Sequence, residues 1–126
     1  MTFPEHLFYT KEHMWAEKLA DNTWAVGITD YAQDLLGDIV FVDPPKVGNE
    51  ITASHACGLV ESVKTGSDLH APFDASIVEV NEAVLSSPEL INDHPYTSWI
   101  FKCKTKIDSI NDQLISADDY KKLIND

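Results

Sequence analysis

The apolar positions of this chain fall in short runs separated by Gly, Pro, Asn, Asp and Ser. That pattern predicts short strands joined by turns. Residues 1–18 lead into strand material, and residues 15–19 and 23–28 flank Asp21 and Asn22, which predicts an antiparallel hairpin. Thr29 or Asp30 then caps a short helix, with Tyr31/Leu35 and Ala32/Leu36 as apolar pairs four apart. Gly37 ends that helix. Residues 39–42 form a strand stopped by Asp43-Pro44-Pro45. Residues 47–51 turn the chain toward a central hairpin. Within residues 59–70, Leu59, Val60 and Val63 favour an extended chain. Gly66 and Ser67 permit a turn just past Lys64, and Leu69 restarts the apolar run before Pro72 limits it.

The strand pattern then repeats. Asp38-Ile39-Val40-Phe41-Val42-Asp43 is echoed 38 positions later by Ser76-Ile77-Val78-Glu79-Val80-Asn81, on the other side of Lys64. The echo suggests a two-fold sandwich with Lys64 near one end, although such runs are common strand material and also recur by chance. Residues 82–96 read as loop, with Pro88 and Pro95, and residues 99–104 return to strand. Asp108 caps a helical turn through Ile110 and Leu114. Ser116 caps a last helix, with Asp119 at its third position and Tyr120, Leu123 and Ile124 as its apolar stripe. The reading is a mostly β domain with short helices at its edge.

Composition narrows the function. The 126 residues suit a single domain over 1–126, large enough to bury a core without disulfides. A formal charge of −12 argues against nucleic acid or an anionic membrane surface as partner. It favours partners with basic docking surfaces and an association that slows as salt rises. All nine cations are Lys, so no guanidinium is present for bidentate recognition. Cys57 and Cys103 lie far apart in sequence and read as two small buried hydrophobes; a disulfide between them stays open. The first eight residues have no basic or apolar signal region, and no apolar run approaches a membrane span. A bacterial chain of this kind belongs in the cytoplasm. A mature mitochondrial matrix protein without its transit peptide has the same look.

No catalytic constellation is visible. His6, His13, His55, His70 and His94 show no metal-ligand spacing, and neither a Ser-His-Asp or Cys-His arrangement nor a Gly-rich phosphate loop is evident. The chain reads as substrate-bearing rather than catalytic. On spacing alone, Lys64 is either an ordinary exposed lysine or one displayed at a hairpin tip for covalent modification.

Glu61-Ser62-Val63-Lys64, Ser67-Asp68, Ala71-Pro72 and Ile77-Val78-Glu79-Val80-Asn81 resemble the lipoylation hairpin of the glycine cleavage system H protein family. The resemblance extends to Tyr9-Thr10-Lys11-Glu12-His13, Trp15, residues 26–33, residues 36–42 and Ser87-Pro88-Glu89-Leu90-Ile91-Asn92, covering roughly residues 8–124. It implies a mainly β, flattened barrel-sandwich hybrid of two small antiparallel sheets carrying a lipoyl hairpin, with peripheral helices and a C-terminal helix. It also implies lipoic acid joined by an amide to Lys64, on a carrier that is not itself an enzyme. The arm shuttles an aminomethyl intermediate and electrons. The implied partners are a pyridoxal-phosphate glycine decarboxylase, a tetrahydrofolate-dependent aminomethyltransferase, dihydrolipoamide dehydrogenase, and a lipoate ligase or lipoyl transferase. Glu61 and Asp68 flank Lys64 as recognition residues for the modifying enzyme, and Glu12, Met14 and Asp68 belong to a cleft for the arm.

The sequence departs from the family in reading Lys11-Glu12-His13-Met14-Trp15, with Met14 where a Glu is usual. Two alternatives follow. One is an H-like lipoate-binding protein that carries sulfur intermediates for sulfur-oxidation enzymes of a heterodisulfide-reductase-like pathway. The other is an unmodified binding module or a biotinyl carrier, although biotinyl domains usually place Met on both sides of the lysine, unlike Val63 and Thr65.

Overall fold

The computed structural model describes residues 1–20, 22–106 and 114–125. In chain order it runs β1 (Phe8–Tyr9), β2 (Met14–Ala20), β3 (Thr23–Ile28), α1 (Asp30–Leu36), β4 (Ile39–Asp43), β5 (Glu50–Ile51) and β6 (Ala56–Ser62). It continues with β7 (Gly66–His70), β8 (Ala75–Val80), α2 (Glu82–Ser86), α3 (Leu90–Asp93), β9 (Phe101–Lys104) and α4 (Ala117–Leu123). The strands form two antiparallel sheets, a larger one ordered β1-β2-β3-β9-β8-β5 and a smaller one ordered β4-β6-β7.

Local signals explain most of these elements. The β2–β3 hairpin pairs Met14 with Ile28 and Lys18 with Trp24. Asn22 takes a φ of 66° in the intervening turn, where Asn tolerates the left-handed region. Thr29 is the N-cap of α1, its hydroxyl accepting from the Ala32 amide at 3.2 Å. Ser116 caps α4 in the same way through the Asp119 amide. The expected helical turn from Asp108 through Ile110 lies outside the described residues.

Four sequence expectations change. Residues 82–96 are not simply loop: Asn81 caps α2 through the Ala83 amide, and α3 follows. Both helices are short and are held by Val84 and Ile91, which are buried in the core. The last long strand begins at Phe101, so Trp99 and Ile100 precede it. Leu35 and Leu123 are exposed rather than packed beneath their helices. Finally, the central turn falls at residues 63–65, and Gly66 already pairs with Glu61 as strand.

The repeated motif has a structural counterpart. β4 lies in the small sheet and β8 in the large one, yet both lose register at the same motif position. The ladder shifts between Ile39 and Phe41, and again between Ile77 and Glu79. The intervening Val40 and Val78 are exposed, while Ile39 and Ile77 are buried. An extra residue at a bulge bends its strand, so each copy curves its sheet at the same point. The two copies are not equivalent in pairing, because β4 is an edge strand and β8 has neighbours on both sides.

One apolar cluster draws on both sheets, with Ala16, Val26, Ile77 and Phe101 from the large sheet and Ile39, Val42, Val60 and Leu69 from the small one. A second cluster joins Phe3, Leu7, Tyr9, Trp15 and Ala25 to Ala117 and Tyr120 of α4. Both faces of β2 are therefore covered. Met14 and Ala16 enter the first cluster and Trp15 the second, which explains three consecutive buried residues where a half-exposed strand alternates. Tyr120 fixes α4 in place. Its hydroxyl lies 2.8 Å from His13 Nδ1 and 2.8 Å from Thr29 Oγ1.

Candidate functional site

The β6–β7 hairpin pairs Leu59 with Asp68, Val60 with Ser67 and Glu61 with Gly66, leaving Val63, Lys64 and Thr65 at its tip. Two of the three are β-branched and poor turn formers, so another element must fold the turn. Ser62 does so. Its hydroxyl accepts from the Lys64 amide and the Thr65 amide, each at 3.1 Å, and donates to the Thr65 carbonyl at 3.2 Å. The Ser62 amide also donates to the Thr65 carbonyl at 2.8 Å. A single buried serine thus binds two amides and a carbonyl of the turn, in the manner of side chain–backbone turn motifs. Ser62→Ala is expected to lower stability by about 1–2 kcal/mol, since two amides lose their acceptor. Urea unfolding checks this, and unchanged stability would dismiss the hydroxyl from the turn.

The tip is docked as well as folded. The Val63 amide donates to the Asp38 carbonyl at 3.0 Å, tying the hairpin to the segment between α1 and β4. Beside it, Gly37 has a φ of 82° and lies beneath the Lys64 stem. A Cβ built on Gly37 would stand 3.0 Å from Lys64 Cε and 3.6 Å from its Nζ. The glycine therefore supplies both the backbone shape and the bare surface on which the lysine rests. Among the described residues no carboxylate lies within ion-pair distance of the Lys64 ammonium. Lys64 is exposed and Val63 beside it is 67% exposed.

The other expected site residues divide into two groups. Glu61 and Asp68 are exposed on adjacent strands of the hairpin, and the Leu59–Asp68 pairing places both on its outward side. The Glu61 stem passes 3.7 Å from where a Gly66 Cβ would stand. Glu12 is half-buried in the β1–β2 turn. Met14 is 1% exposed and packed in the inter-sheet core, so its thioether offers no open surface in this structure. Among the described residues no group of three or more His, Cys, Asp or Glu side chains is placed to hold a metal ion. No helix among them is long and apolar enough to cross a membrane.

Both cysteines are free thiols. Burial pushes Cys57 up to about 11. Burial and then the Cys57 charge push Cys103 up to about 12. Burial thus favours the protonated thiol at both positions.

The residues present fit an acylated lysine. The tip is hydrogen-bonded, Lys64 is exposed, and its stem lies over Gly37. In the sequence, Lys64 and its acidic flanks stand out only through the motif resemblance. Residue chemistry alone does not single out Ser62, whose hydroxyl binds tip amides, or Gly37 and Asp38, which act through their backbone. Their only signal was their presence in the motif blocks.

Comparison with known proteins places the chain in a family. The sequence model described as glycine cleavage H-protein matches residues 7–126. A glycine cleavage system H protein from Methylobacillus flagellatus is 51% identical over 124 residues, covering 98% of this chain and 99% of the relative. One from Escherichia coli O7:K1 is 50% identical over 124 residues, covering 98% and 96%. The crystal structure of a glycine cleavage system H protein from Mycobacterium marinum superposes with a TM-score of 0.89 at 37% identity, covering 97% of this chain and 98% of that one. The chain belongs to the glycine cleavage H-protein family, the non-catalytic lipoyl carriers of the glycine cleavage system.

Proposed function

We propose that Lys64 carries the lipoyl group and that this single domain delivers it in turn to the enzymes of glycine cleavage. The observation that carries the reading is the Lys64 tip itself: an open Nζ on a turn tied down by Ser62 and by the Val63–Asp38 bond. Acylation at Nζ removes the lysine cation. The group, when bound, supplies a dithiol–disulfide couple that carries an aminomethyl unit and electrons. The protein's own part is mechanical and electrostatic. The fixed tip sets the pivot of the arm, and tethering raises the effective concentration of the cargo at each site visited. The strongly acidic surface favours docking faces rich in Lys and Arg.

The partners on this reading are the pyridoxal-phosphate glycine decarboxylase, the tetrahydrofolate-dependent aminomethyltransferase and dihydrolipoamide dehydrogenase, with a lipoate ligase or lipoyl transferase to load the lysine. The bacterial relatives support a cytoplasmic setting. A sulfur-carrying arm draws its support from Met14, and the burial of Met14 in the core withdraws that support. Reconstitution with the three enzymes, glycine and tetrahydrofolate tests the reading. Lipoylated chain should sustain carbon dioxide release at a rate comparable to that of a lipoylated H protein from E. coli. Failure where the E. coli protein succeeds would overturn it.

On this reading Glu61 and Asp68 serve recognition by the modifying enzyme, which their exposure on the hairpin supports. Glu61→Gln with Asp68→Asn is expected to slow lipoylation several-fold while shifting stability by no more than about 0.5 kcal/mol, as for exposed side chains. Unchanged modification kinetics would reduce both to solvating the turn.

A further inference from the structure

Asn92 ends the motif of residues 87–92, a block with no part in the chemistry described so far. We propose that Asn92 is a positioning residue for the Lys64 tip. Its side-chain oxygen accepts the Ile39 amide at 2.9 Å. Its side-chain nitrogen donates to the Gly37 carbonyl at 2.9 Å and to Gln33 Oε1 at 2.8 Å. These bonds grip the backbone on both sides of Asp38. The Asp38 carbonyl is the group that receives the Val63 amide, and Gly37 is the surface beneath the Lys64 stem. One carboxamide therefore holds both backbone elements on which the tip rests.

A carboxamide suits the task. It has two donor hydrogens and an acceptor oxygen, and all are engaged here. Asp lacks the donors, and Ser lacks the reach. The residue is itself held firmly, because Ile91 is buried in the core and the Ser98 hydroxyl donates to the Leu90 carbonyl at 2.9 Å. The chain of contact thus runs from the core through α3 to the segment between α1 and β4, and from there to the tip. A tip that wanders spends less time in the geometry a modifying enzyme requires. Its apparent affinity falls in proportion to that lost population.

The inference rests on the proposed role of Lys64, but its first readout does not. Asn92→Asp keeps the size and the acceptor for Ile39, removes both donors, and sets a carboxylate against the Gly37 carbonyl and Gln33. Hydrogen exchange at the Val63 amide should accelerate about tenfold, as expected for loosening of one local unit. The Cys103 amide in β9, remote from this contact, should keep its rate. With purified lipoate ligase, lipoic acid and ATP, KM for the variant should rise about tenfold while kcat stays within about twofold. If the Asp variant fails to fold, Asn92→Ser, smaller and uncharged, should show the same exchange and KM effects.

A lower urea midpoint with unchanged Val63 exchange and unchanged KM would make Asn92 merely structural and overturn the inference. The wild-type reaction separates the two readings. Wild-type chain that takes up no lipoyl group at Lys64 refutes the function proposed above, while amide exchange still decides Asn92. Lipoylated wild type, with exchange and KM unchanged in the Asn92 variants, refutes the positioning role alone.

Discussion

Lys64→Arg should abolish lipoylation while leaving the fold intact. The side chain is exposed and makes no ion pair among the described residues, so replacement by another long cation removes little packing. Stability should stay within about 0.5 kcal/mol, as for surface changes generally. The tip backbone is held by Ser62 and Asp38, neither of which senses the identity of residue 64 beyond its amide. A guanidinium stays protonated at physiological pH and offers no amine to acylate. The expected effect is a complete loss of modified protein with a circular dichroism spectrum like that of wild type. Lipoylation of the variant would show that another lysine is the acceptor.

Tyr120→Ala should strongly destabilise the second cluster. The ring is fully buried and stacks on Tyr9 at 4.9 Å with an interplanar angle of 13°. It also meets Phe3 edge-on at 5.6 Å. Removing a buried aromatic typically costs about 3–5 kcal/mol, a large share of the roughly 5–15 kcal/mol available to a domain. Tyr120→Phe keeps the ring but takes a partner from His13 Nδ1 and Thr29 Oγ1, for a cost of about 1–3 kcal/mol. Urea unfolding of the two variants separates packing from hydrogen bonding, and a loss below about 1 kcal/mol for the alanine would mean that α4 does not dock through this ring.

The same contact gives a pH dependence. Burial lowers the pKa of His13 below its ordinary 6.5, and the Glu12 charge only partly opposes this. The unfolded chain then binds more protons than the folded one. The stabilisation by neutral His13 is present above about 6.5 and is lost as pH falls through the depressed folded value. His13→Gln should flatten that slope, and an unaltered slope would assign it to other groups.

Elements with local signals were legible in the sequence. The β2–β3 hairpin has a turn residue that tolerates its backbone, α1 has Thr29 at its start and Gly37 at its end, and α4 has Ser116. What long-range burial decides was not. α2 and α3 are too short to show a helical period, and Val84 and Ile91 hold them only because the core is there to receive them. The apolar pairs Tyr31/Leu35 and Tyr120/Ile124 share a helix face, but spacing cannot say how much of that face is covered, and Leu35 and Leu123 stay exposed. Gly66 and Ser67 are strong local signals and point to a turn just past Lys64. The turn that forms is made instead by the Ser62 hydroxyl, which lets Val63 and Thr65 occupy it.

The candidate site shows the same division. Lys64, Glu61 and Asp68 lie on one continuous hairpin, so a single motif presents them together. Gly37, Asp38 and Asn92 come from elsewhere in the chain; the first two act through backbone groups, and the Asn92 carboxamide reaches backbone that only the fold brings beside it. Met14 stood out as a departure from the family, yet its place between the sheets makes it a packing residue in this conformation. Its neighbour Trp15 faces the other way, so a one-residue difference in position is a change of layer.

The central claim is that one lysine at one tip is the point of attachment. The direct measurement is the intact mass of the wild-type chain after incubation with lipoate ligase, lipoic acid and ATP, followed by peptide mapping of the product. The account predicts one lipoyl group per chain, on the peptide that contains Lys64. An unmodified chain, or a lipoyl group on any other lysine, would contradict it.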